Sequence, residues 1–182
     1  MEHNAAMRSP QRFQKILIAL ALCTCFAAAL PAAGEAANCA TSAESRQMDF
    51  WLGDWTVSYP NAPSASTSKV YLDLDKCLLV ESWVGGKNHR GMNMFAYSAD
   101  DKSWHGMFAD NEGRVHVFEG TANAGSAEFH GLSRGPEGKE FLNRIRLIRV
   151  NAGQVEQSWE KSSDKGATWT MEFKGEYSLK KP

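Results

Sequence analysis

An all-β fold, an antiparallel up-and-down barrel of about ten strands, is what this sequence predicts. Three observations carry the expectation. Short runs with strand composition recur along the chain, turn residues separate them at regular spacing, and no long window places its apolar residues at helical period.

The N-terminus reads differently from the rest. Arg8, Arg12 and Lys15 precede an apolar stretch over residues 16–30, which runs into Pro31, Ala32, Ala33 and Gly34. That order is a secretory signal peptide, assigned to residues 1–36. The apolar run is shorter than the ~20 residues that span a bilayer. Cys39 follows Asn38 rather than a small residue, which argues against lipidation. What remains, residues 37–182, has the length of one domain.

Residues 41–50 contain a short segment with room for one helical turn. Strands are then expected over residues 54–59, 69–74, 78–84, 91–97, 104–108, 114–119, 127–131, 141–150, 154–161 and 168–178. Between them lie turn formers such as Asp75-Lys76, Gly85-Gly86-Lys87-Asn88, Asn111-Glu112-Gly113 and Asn151-Ala152-Gly153. The last strand alternates, with Trp169, Met171, Phe173 and Tyr177 on one face and Thr170, Glu172, Lys174 and Glu176 on the other. Consecutive hairpins favour a meander, and closing it removes the exposed edges. A barrel of this strand number is wide enough to hold a small ligand.

The full chain carries a net charge of −1, and loss of the leader changes it little. No basic run stands out, so nucleic acid and anionic membrane are not expected partners, and no membrane span is expected after processing. Of the 4 cysteines, Cys23 and Cys25 depart with the leader. Cys39 and Cys77 remain in an oxidising compartment, periplasmic or secreted, where a disulfide between them is the economical reading.

Ser162-Ser163-Asp164-Lys165-Gly166-Ala167-Thr168-Trp169 fits the Asp-box pattern Ser-x-Asp-x-Gly-x-Thr-Trp. It is a hairpin device. Asp164 can accept backbone N–H groups, Gly166 supplies a positive φ, and Trp169 packs back beneath the turn. The box is structural in sialidases too, and one copy in a chain too short for a propeller carries no sialidase function.

Met48-Asp49-Phe50-Trp51-Leu52-Gly53-Asp54-Trp55 is the most distinctive block. It resembles the opening of an uncharacterised bacterial family of secreted lipocalin-like (calycin-like) proteins, near Phe-Asp-Phe-Trp-Leu-Gly-x-Trp. The resemblance extends to Lys76-Cys77-Leu78-Leu79-Val80-Glu81-Ser82-Trp83 and to the C-terminal Asp-containing hairpin. Met48 and Lys76 stand where the family usually has Phe and Gly. The resemblance implies a β-barrel and brings no catalytic residues. By similarity to the Gly-x-Trp of lipocalin-like first strands, Gly53 permits close backbone approach and Trp55 plugs the closed end, its indole N–H needing a partner.

Ligand chemistry needs polar groups inside. Alternation puts Glu81 on one face with Leu79 and Trp83, and puts Arg144 and Arg146 with Leu142, Ile148 and Val150. The expectation is that Glu81 and one of the two arginines lie inside, as an ion pair or as the polar end of a ligand cavity. The alternative turns those charges to solvent. His116 and His130 fall on neighbouring strands, and either is the candidate axial ligand if haem binds. No metal-ligand spacing, nucleophile elbow or phosphate-binding glycine loop is present.

The sequence points first to an exported barrel that binds a small apolar or aromatic molecule. Trp51, Trp55, Trp83, Met92, Met94, Phe118 and Trp159 are its expected lining, with Glu81, Arg144, Arg146 and His116 as polar contacts. Two other classes stay open. One is an isomerase or hydratase acting on a hydrophobic molecule with Glu81 or His116 as general base; the other is a fully packed structural or envelope protein.

Overall fold

The structure is a computed structural model that describes residues 38–60 and 64–181, so the expected signal peptide lies outside the described residues. Ten antiparallel strands close into one barrel: β1 (Gly53–Ser58), β2 (Ser66–Asp73), β3 (Leu78–Val84), β4 (Arg90–Ser98), β5 (Ser103–Asp110), β6 (Val115–Asn123), β7 (Ser126–Arg134), β8 (Glu140–Asn151), β9 (Gln154–Ser162) and β10 (Thr170–Leu179). Each strand pairs with its sequence neighbour, and β1 pairs with β10 through Trp55↔Leu179 and Val57↔Tyr177. That last ladder removes the two edges a meander would expose.

Alternation decides what fills the barrel. Trp55, Val57, Val70, Leu79, Phe95, Phe118, Phe129, Ile145, Leu147, Val155 and Tyr177 are buried, and their neighbours on each strand are more exposed, save Val80 on β3, which is buried as well. The expected alternation of β10 holds at Phe173 and Tyr177 but fails at Met171, which is half exposed. A register shift between Met171 and Phe173 is the reason.

One pole of the barrel is stoppered. The segment before β1 forms two short 3-10 turns, Glu44–Arg46 and Asp49–Trp51, where one helical turn was expected. Met48 and Trp51 lie on this segment with no exposed surface. Trp51 meets Phe95 and Tyr177 edge to face, with centroids 6.3 and 5.9 Å away. Trp55 donates its indole N–H to the Trp51 carbonyl at 2.9 Å, the partner its burial demands. Gln47 accepts from the Trp104 indole at 3.1 Å. Cys39 and Cys77 are bridged, which fastens the start of the plug to the β2–β3 turn at the same pole.

The Asp-containing hairpin between β9 and β10 behaves as its composition implies. Asp164 accepts the Thr168 N–H at 2.9 Å, the Thr168 hydroxyl at 2.6 Å and the Ser162 hydroxyl at 2.7 Å. These bonds, led by the Thr168 hydroxyl, pull its carboxyl down to about 2. Gly166 has φ 91°, and Trp169 packs back under the turn with the Arg144 guanidinium 4.1 Å from its ring centroid.

β6 and β7 approach each other too closely for side chains at two inward glycines. A Cβ on Gly120 would stand 2.0 Å from the Glu128 carbonyl oxygen, and one on Gly131 would stand 2.2 Å from that of Val117. Backbone cannot swing aside as a side-chain tip can. Gly120→Ala is therefore expected to destabilise by about 1–3 kcal/mol in urea melts, and an unchanged midpoint would contradict the strand spacing described here.

Candidate functional site

The unplugged half of the barrel is not filled. A cavity of about 350 Å³ opens at this pole, at the low end of the range of small-molecule sites. A barrel packed throughout, one of the sequence expectations, does not describe this interior.

The cavity floor is polar and lies against the packed half. Glu81 projects inward from β3 with 1% of its surface exposed. Its carboxyl group accepts Ser68 Oγ and Asn93 Nδ2, each at 2.7 Å, and lies 3.0 Å from Tyr177 Oη. No cation pairs with it among the described residues. Burial raises the Glu81 carboxyl above its ordinary range, and the hydrogen bonds from Ser68, Asn93 and Tyr177 oppose that rise. Burial likewise raises the Tyr177 hydroxyl, helped by the charge of Glu81. Tyr177 Oη also lies 2.6 Å from Gln157 Oε1, yet a phenol has only one proton to donate. A proton on Glu81 satisfies the whole chain, the carboxyl donating to the phenol and the phenol to Gln157.

The walls are rings. Trp159 on β9 stands edge-on to Phe108, His116 and Phe118, with centroids 5.4, 4.9 and 5.5 Å away. Its indole N–H is held by Asn143 Oδ1 at 3.0 Å, and Asn143 is anchored in turn to the Ser133 hydroxyl at 2.8 Å. Trp83, Phe173 and Tyr59 complete the wall. His116 is half-buried. Burial lowers its pKa, and Lys161 and Arg114 lower it further against a weaker pull from Asp110, so the ring is neutral at neutral pH.

At the mouth, Asp110 has a fully buried side chain. Burial works to raise its pKa, but donors from the Arg114 and Glu112 backbone, His89 and the Arg114 side chain outweigh it and hold the carboxylate ionised. Arg114 Nε sits 2.6 Å from Asp110 Oδ2, and His89 Nε2 lies 3.1 Å from the same oxygen. His89, Asp110 and Glu112 bring ligand-type atoms within 4.8 Å of one another. The Arg114 guanidinium supplies the positive charge there, pairing with Asp110 and Glu112.

Three cavity residues hold buried polar atoms with no hydrogen-bond partner: Asn93 Oδ1, Trp83 Nε1 and His116 Nδ1. Such atoms are costly unless something bonds them.

Of the residues expected from sequence, the structure gathers Glu81, Trp83, His116 and Trp159 around one cavity. Trp51, Trp55 and Phe118 are core residues outside the cavity lining, Trp51 in the plug and Trp55 on β1 packed against it. Arg144 and Arg146 do not face the interior. They flank buried Ile145 on the outer face of β8 and form a ladder with Glu160 and Glu128 on the neighbouring strands, at 2.9, 3.2 and 2.8 Å. The apolar residues that shared their face misled: Ile148 and Val150 are themselves 47% and 61% exposed. Met92 and Met94 also point outward, because Asn93 and Phe95 take the inside of β4. His130 is on the outer face of β7, 2.8 Å from Glu128, which leaves His116 as the only interior candidate of the two histidines.

Asn93, Gln157, Asn143, Lys161 and Tyr177 escaped the sequence reading as site residues. The available signal was parity: Gln157 alternates with Val155 and Trp159, and Asn93 with Phe95. Because Arg146 lies outside, Arg146→Ala is expected to change stability by less than about 1 kcal/mol and ligand affinity not at all. Loss of binding in that variant, measured by titration calorimetry, would return the arginine to the site.

No helix among the described residues is long and apolar enough to cross a membrane. The chain matches no protein-family model, and no curated protein is significantly similar to it.

Proposed function

We propose that this chain is an exported, lipocalin-like binding protein that holds a small apolar or aromatic molecule in the open half of its barrel. The observation that carries the reading is a ring-walled cavity over a polar floor of Glu81, Asn93, Gln157 and Tyr177. Aromatic walls supply non-directional affinity, and a few fixed polar groups orient the guest. The Cys39–Cys77 bridge fits a periplasmic or secreted location, where disulfides persist. The family resemblance of the Trp51–Trp55 block belongs to the same proposal.

Native mass spectrometry of the processed protein, purified from a periplasm, tests it. A co-purifying small molecule is the expected result, and recovery of only bare polypeptide counts against it. Haem is a competing occupant through His116. A Soret band on haemin addition that disappears in His116→Ala would select it. The floor acid also favours a second reading, an isomerase or hydratase in which Glu81 moves a proton on the bound guest. Turnover abolished by Glu81→Gln, with binding retained, would separate enzyme from carrier.

A further inference from the structure

The cavity reading above, on which this inference rests, leaves open what the guest must look like at each end. Depth is the first constraint. Below Glu81 and Tyr177 the barrel is filled by Phe95, Phe129, Ile145 and Leu147, each at most 1% exposed, so a long acyl chain has nowhere to go. Along β9, Gln157 at the floor and Lys161 at the mouth are four residues apart, roughly 13 Å of strand. Barrel strands tilt by about 35–45° from the axis, so that span is roughly 10 Å of depth, room for about one ring with a short arm.

The ends differ chemically. The floor is rich in acceptors, with the Glu81 carboxyl and the unpartnered, nine-tenths buried Asn93 Oδ1 beside each other. The mouth carries cations. Arg114 is neutralised by Asp110 and Glu112. Lys161 holds its ammonium 4.4 Å from the Phe141 ring centroid and pairs with no carboxylate among the described residues. Exposed Glu172 is the other charged group bordering the opening. At His116, between these groups, the cationic influence of Lys161 and Arg114 exceeds that of Asp110. Between floor and mouth stand the faces and edges of Trp159, Phe108 and Trp83, which suit a flat ring.

We infer that the cavity takes a small aromatic acid, its carboxylate at Lys161, its ring beside Trp159, and a hydroxyl donor at the far end meeting Asn93 and Glu81. A ligand with a neutral head forfeits the mouth contact, one without the hydroxyl leaves the floor acceptors empty, and one with a saturated ring loses the ring-to-ring packing.

Titration calorimetry with four probes tests each end: para-hydroxyphenylpropanoate, phenylpropanoate, para-hydroxyphenylpropanol and cyclohexylpropanoate. The hydroxylated aromatic acid should bind tightest, and Lys161→Met should weaken it roughly tenfold or more while leaving the alcohol unaffected. Lys161 is partly exposed at the cavity mouth, so the variant should fold, and an unchanged urea midpoint verifies that. Equal binding of acid and alcohol, or an acid indifferent to Lys161→Met, overturns the inference and leaves the cavity reading intact. Binding by none of the four also overturns it, and the cavity reading then stands or falls on native mass spectrometry.

Discussion

Reduction of the Cys39–Cys77 bridge is expected to lower stability by about 4 kcal/mol. The bridge closes a loop with a sequence separation of 38, and the chain-entropy relation for a loop of that length gives this figure. For a domain of this size the loss corresponds to a fall in Tm of roughly 8–16 °C. The effect should be polarised. The loop contains the plug, with Met48 and Trp51, so the stoppered pole should loosen first, and the buried Trp51 and Trp55 should report it by fluorescence. Urea melts with and without reductant, alongside a Cys39→Ser/Cys77→Ser variant, measure it. Coincident curves would mean that packing of the plug alone holds that pole.

Two substitutions at Glu81 should move stability in different ways. Glu81→Leu strands the Ser68 hydroxyl and Asn93 Nδ2 in the interior, while Tyr177 keeps Gln157. Each orphaned buried group costs about 1–3 kcal/mol, so a loss of about 2–6 kcal/mol is expected. Glu81→Gln keeps the shape and offers an amide that Asn93 can meet with its free Oδ1. In the wild type the folded carboxyl is held above its ordinary value of 4.5 by burial. Folded protein therefore binds more protons than unfolded protein between that value and the raised one. The contribution to stability is fully present below about pH 4.5 and is lost as pH rises through the folded pKa, by up to about 1.4 kcal/mol per pH unit. Glu81→Gln has no such group. Wild type should thus lose stability relative to the variant as pH climbs above about 4.5 in urea melts. Parallel pH profiles for the two proteins would show that Glu81 is ionised in the fold at no cost.

The fold was legible because its signals are local. Turn chemistry at Asp75-Lys76 and Asp164–Trp169 depends on a few neighbouring residues, and both hairpins form where their composition places them. Strand ends moved by a few residues, as with β7, expected over 127–131 and observed as Ser126–Arg134, since ladder hydrogen bonds extend strands past their apolar cores. The site was half legible. Period-2 alternation fixes which residues share a face, but it does not say which face is inside when both carry apolar side chains. On β4 the methionines and the Asn93–Phe95–Tyr97 set compete, and on β8 Arg144 and Arg146 share a face with Leu142 and Ile148.

From the amino acids alone came the β class, the count of about ten strands, the cysteine pair and the set of β3 residues that share a face with Glu81. Each depends on composition or on spacing within one segment. Pairing between strands settled the rest. Neighbouring β7 and β9 offered Glu128 and Glu160 to the outward arginines, while closure of β1 on β10 brought Tyr177 to Glu81 across 96 residues of chain. Contacts between segments so distant in sequence arise only when the strands are laid side by side, which no local pattern encodes.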